Sequence, residues 1–157
     1  MRTDSASRVI AAPAEVIYAA LLDPGAMARW RPPAGMRCEV HTFDAREGGG
    51  FCMTFAYSDA GHAVAGKTSK HADVFEGRFV ELVPDARVVE RIDFVSEDPA
   101  FFGPMTVVTS LTPVAGGTEV TITCKDVPSG IRREDHQVGL RSTLANLAAY
   151  TEHGAQG

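Results

Sequence analysis

Between residues 36 and 125 the chain alternates large and small side chains in twos, run after run, with turn residues between the runs. No other feature narrows the fold as much. The clearest run follows three glycines in "DAREGGGFCMTF", residues 44–55. Phe51, Met53, Phe55 and Tyr57 stand at every second position, with Cys52, Thr54 and Ala56 between them, which is the period of a strand. The glycines do not make a phosphate-cradling loop. Such a loop opens a helix, and the GxxxxGK[ST] form also needs its Lys and hydroxyl, which do not follow here. They are read instead as a hairpin turn taking positive φ, or as a bulge. Strands are expected at about 36–43, 50–57, 71–82, 86–95, 105–113 and 118–125. The turns between them are Arg46-Glu47-Gly48-Gly49, Pro84-Asp85, Glu97-Asp98-Pro99 and Ala115-Gly116-Gly117. Arg8 to Ala11 reads as the end of a further strand ahead of these.

Helical periods occur in two places. Pro13 opens a segment to Pro24 in which Val16, Ile17, Ala20 and Leu21 recur at helical spacing. Asp23-Pro24 breaks it, a second short helical piece runs to Trp30, and Arg31 to Gly35 is a loop. From Arg132 to about His153, the residues His136, Leu140, Leu144, Leu147 and Thr151 share one helix face. Consecutive strands with tight turns make an antiparallel meander, and one face of it needs cover. The expected fold is α+β of the helix-grip kind: a curved antiparallel sheet of about seven strands wrapped around the long C-terminal helix, with two short helices after the first strand. There is no internal repeat or linker, so residues 1–157 are expected to form a single domain. A sheet wrapped around a helix leaves space for a mostly apolar pocket.

Composition removes several classes of function. A net charge of −5, with no basic run longer than Arg132-Arg133, argues against nucleic acid. No apolar stretch approaches the roughly 20 residues of a membrane span, and the N-terminus lacks the apolar core of a signal peptide. Cys38, Cys52 and Cys124 fit neither a disulfide framework nor a CxxC zinc site. His41, His62, His71 and His153 have no HExxH or other metal spacing. A cytoplasmic protein with no metal and no cofactor is expected.

Five segments in series resemble a known family: "IAAPAEVIYAALLDP" with Trp30, "FDAREGGGFCMTF", "FEGRFVELVPDARVVERIDF", "VTSLTPVAGGTEVTITC" and "DHQVGLRSTLANLAAY". The chain is similar to the START-like superfamily (SRPBCC, birch-pollen-allergen-like), in the branch of homologues of the activator of the heat-shock chaperone ATPase. The resemblance implies the helix-grip fold and a cavity for a small hydrophobic molecule. It does not name the molecule. Two positions depart from the branch, which often has a paired Trp where this chain has Trp30-Arg31, and often a Trp where it has Leu140. The chaperone activators themselves carry an additional domain, for which this chain is too short.

The expected function is binding of a small apolar ligand between the sheet and the C-terminal helix. The residues expected to line the site are Trp30, Phe43, Met53, Phe55, Phe79, Phe94, Met105, His136, Leu140 and Leu144. The excess of Phe and Met in the middle strands suits an adaptable apolar wall. The alternatives are an enzyme of the cyclase, dehydratase or hydrolase type and an adaptor for a chaperone or another protein. His136 is the titratable candidate for acid–base chemistry, with Asp135 beside it. Asp73, Glu76, Glu81 and Glu90 lie in strands and are expected to face solvent, although an inward carboxylate could polarise a ligand. Gly139 within the last helix points to close packing or to room for a ligand. Phe101-Phe102, in a connection bounded by Pro99 and Pro104, could cap the pocket or join a homodimer.

Overall fold

A computed structural model of the chain describes residues 2–32, 35–57 and 72–154. Seven strands form one antiparallel sheet: β1 (Thr3–Ile10), β2 (Met36–Phe43), β3 (Gly50–Tyr57), β4 (Ala72–Val83), β5 (Arg87–Phe94), β6 (Met105–Val114) and β7 (Gly117–Lys125). Their order is β1-β7-β6-β5-β4-β3-β2, so the meander runs in sequence from β2 to β7 and β1 closes it beside β7. Three α-helices, α1 (Ala14–Leu21), α2 (Pro24–Trp30) and α3 (Arg133–Gly154), complete the α+β helix-grip fold expected from the sequence. A 3₁₀ turn, Pro99–Phe101, lies between β5 and β6. The first strand starts at Thr3 and is longer than its legible end, because alternating polar residues such as Ser5 and Ser7 carry no apolar signal there. His62 and His71 lie outside the described residues.

The glycine run forms the β2–β3 turn, and Gly48 takes φ +83. Gly49 has no room for a side chain, since a Cβ would strike the Asp44 carbonyl oxygen. Two bulges shape the sheet. The register shifts between Val40 and Thr42 in β2 and between Phe79 and Glu81 in β4. Each extra residue reverses the side-chain parity, so Phe43 joins Cys38 and Val40 on the inner face. Opposite Phe51 the inner face carries Gly77, and the Phe51 ring fills the space that a Cβ there would need.

Asp23 caps α2 by accepting from the backbone N–H groups of Gly25 and Ala26 at 2.9 and 3.2 Å. The Trp30 indole donates to the Ala20 carbonyl at 2.9 Å and pins α2 onto α1. The α3 stripe of Leu140, Leu144, Leu147 and Thr151 is buried against the sheet side of the molecule. The helix is tied to β1 at both ends. His136 meets Asp4 at 2.7 Å, and the Ala11 N–H donates to Glu152 at 2.8 Å. From His136 to Glu152 the helix rises about 24 Å. From Asp4 to Ala11 the strand advances about 24 Å. The two spans match, so α3 lies parallel to β1 without slack.

Candidate functional site

The inner face of β2–β5 carries two groups of aromatic rings. In the first, Phe43 lies 6.2 Å from Phe51 and 5.5 Å from Phe79, and Phe51 lies 5.1 Å from Phe79. In the second, Phe75 lies 4.9 Å from Phe55 and 6.2 Å from Phe94. Phe51, Phe75 and Phe79 are buried, whereas Phe43, Phe55 and Phe94 remain partly accessible, as do Cys38 and Val40 on the same face. Met53 is fully buried between the two groups on β3, and Met105 is buried on β6.

Arg31 bridges the two groups. Its guanidinium carbon stands 5.6 Å from the Phe51 centroid and 5.8 Å from that of Phe75, within cation–π range of both. The guanidinium grips Glu90 of β5 with two hydrogen bonds, at 2.8 and 3.3 Å. The two side chains are only 12% and 4% exposed. The position of Arg31 is fixed by its backbone. Its N–H extends α2 by donating to Met27 at 3.0 Å, and its carbonyl accepts from Thr143 of α3 at 3.0 Å. Asn146, one turn later in α3, donates to the Pro32 carbonyl at 2.9 Å. The helix thus holds Arg31 and Pro32 so that the Arg31 side chain reaches inward across the sheet. Burial pushes the Cys38 thiol up to about 11 and the Cys124 thiol up to about 12, and the charge of Arg31 opposes both shifts.

A second polar cluster lies at the start of β1. The Asp4 side chain is wholly buried. It accepts from His136 Nδ1 at 2.7 Å and from Arg2 at 2.9 Å, and Arg133 stands 3.5 Å away. Burial pushes its carboxyl up, but the hydrogen bonds from His136 and Arg2, with the Arg2 charge, outweigh this and hold it below its ordinary 3.8.

The structure sorts the residues named from sequence. It brings Phe43, Met53, Phe55, Phe79 and Phe94 together on one face, with Met105 on the adjoining strand and Leu140 and Leu144 buried in α3. Trp30 serves the α1–α2 contact. His136 stands apart, held by Asp4 rather than by its neighbour Asp135. Gly139 lies partly buried within α3. Phe101 packs against Gly130, and Phe102 is 56% exposed. One expectation is overturned: Glu90 and Asp73 are buried at 3% and 2% exposure rather than facing solvent, while Glu76 faces out. The signal was present as parity, since Glu90 alternates with Val88 and Ile92, and Asp73 with Phe75. Arg31 carried no such signal, because it follows a helix and no period reaches it.

Away from this face, Val16, Ala19, Ala20, Asp23, Ala26, Tyr150 and Thr151 line a groove of about 320 Å³ between α1, α2 and the end of α3. None of the residues expected to bind ligand lines it. Among the described residues, no group of three His, Cys, Asp or Glu side chains could hold a metal ion, and no helix is long and apolar enough to cross a membrane.

Residues 11–152 match the family described as activator of Hsp90 ATPase homolog 1-like protein, AHSA1. The chain belongs to this AHSA1-like family. The family is part of the START/SRPBCC superfamily, in agreement with the sequence resemblance. The AHSA1-like chain is 35% identical to a crystallised protein from Chromobacterium violaceum, over 96% of each chain, with a TM-score of 0.84. It is 23% identical to an AHSA1-like protein from Aeromonas hydrophila solved by NMR, covering 99% of this chain and 96% of the other, at a TM-score of 0.73. A Rhodobacter sphaeroides crystal structure shares 19% identity, covering 99% of this chain and 93% of the other, at a TM-score of 0.77. The last two, at these identities, bear on the fold alone. No curated protein matches this chain.

Proposed function

We propose that this AHSA1-like protein binds a small, mostly apolar molecule on the inner face of the sheet, between β2–β5 and α3. The observation that supports this reading is the partial accessibility of Phe43, Phe55 and Phe94 on a concave face whose deeper rings are buried. Large aromatic side chains left accessible within a concavity suit a ligand better than they suit finished core. The superfamily is consistent with it, since its members often bind hydrophobic ligands. The enzyme alternative draws on His136, and Asp4, Arg2 and Arg133 engage that end of the helix as a clamp. The test is fluorescence titration with Nile red, an uncharged polarity-sensitive dye, combined with native mass spectrometry of the purified protein. Saturable dye binding is expected, weakened about tenfold or more when Phe55→Ser and Phe94→Ser are combined, given the contact area of two rings. Equal binding by the double variant, or no binding by the parent, refutes the reading.

A further inference from the structure

The Arg31–Glu90 pair restricts which head group a ligand on this face can carry. We propose that the ligand's polar end is an uncharged hydrogen-bonding group, such as a hydroxyl or an amide, seated against Arg31 and Glu90. This rests on the binding reading above and narrows its ligand class. The two side chains close their charges on each other through paired hydrogen bonds at 2.8 and 3.3 Å, beside the Phe51 and Phe75 rings. At 12% and 4% exposure, water does little to screen them. A ligand carboxylate would have to take Arg31 from Glu90 or lie against the Glu90 charge. A ligand ammonium would meet Arg31 in the same way. Either leaves a charge buried without its partner, which is the costly arrangement in a desolvated site. A hydroxyl avoids both, because it donates to a spare lone pair of the Glu90 carboxylate and accepts from the guanidinium edge. Asp73, buried on the same face at the start of β4, is itself partnered. The pair thus selects against charged analogues as much as it selects for a polar one.

The experiment compares four probes with one apolar body at pH 7: naphthalene, naphthalenemethanol, naphthoate and naphthalenemethylammonium, each displacing Nile red. The parent protein should bind the alcohol at least about tenfold more tightly than either ion. Glu90→Gln leaves Arg31 charged and unpaired, so the ranking should shift about tenfold toward naphthoate. If that variant fails to fold, Arg31→Met combined with Glu90→Leu serves instead, since an apolar replacement of a buried pair is often tolerated. That variant should bind naphthalene as well as the alcohol. The proposal is overturned if the parent prefers naphthoate or naphthalenemethylammonium to the alcohol, or if the ranking is the same in the parent and the variant. Nile red binding without head-group discrimination refutes this inference alone. Absence of binding by the dye and by all four probes refutes the binding reading and this inference with it.

Discussion

Asp4 shows how one side chain can be both a cost and a fastener. A carboxylate removed from water is unfavourable unless other groups complete it; here His136 and Arg2 both bond Oδ2, while Oδ1 has the Arg133 charge 3.5 Å away but accepts no hydrogen bond. Because its carboxyl is held below 3.8 in the folded protein, the folded state binds its proton more weakly than the unfolded chain does. The stabilisation is therefore complete above the unfolded value near 4 and is lost as pH falls through the folded value. Asp4→Asn should cost about 1–3 kcal/mol at pH 7, below the figure for a fully buried pair because Arg133 is largely exposed. The difference between parent and variant in urea-unfolding free energy should shrink below about pH 4. A difference that stays constant down to pH 3 would show that the charge is not the fastener. Nothing in the sequence around Asp4 reveals this role, because its partner His136 lies 132 residues away. Glu90 differs: its inward position follows from strand parity, and only the preference of carboxylates for solvent argued the other way.

At the scale of elements, the strands were legible wherever the period of two was unbroken. β3 begins and ends where the alternation does. The two bulges were not legible, since an extra residue such as His41 or Val80 leaves no mark in composition. Yet they decide which rings share a face, because Phe43 joins Phe51 and Phe79 only after the parity change in β2. The α3 stripe was legible from its spacing, but its alignment along β1 was not. That alignment depends on ties at both ends, one of them a side-chain acceptor for the Ala11 N–H. Glu152→Ala should remove about 1 kcal/mol. The effect should be local: faster amide exchange over residues 147–152 and at Ala11, with residues 136–140 unchanged. Acceleration spread evenly along α3 would mean that the two ends of the helix are not held independently.

For the whole molecule, the order of joining differs from the order of synthesis. Strands β2 to β7 are each adjacent to the next in sequence and can pair as they appear. The first strand must wait for β7, which it meets across 118 residues at Ser5 and Thr123. The last helix then packs on that first strand, with the Ala11–Glu152 tie spanning 141 residues. Contacts so far apart in sequence form late and slowly, because long loops must close before they are rewarded. A chain ending after Lys125 should therefore remain cut by protease within the time that the full chain resists, as read by limited proteolysis on a gel. Equal resistance of the two would mean that the sheet stands without its helix. If it does not, a ribosome carrying this chain holds an unfinished sheet with its apolar inner face uncovered, and through that interval a chaperone at the exit tunnel has a surface to bind. The interval closes only when α3 is free to pack along β1 and take up both of its ties.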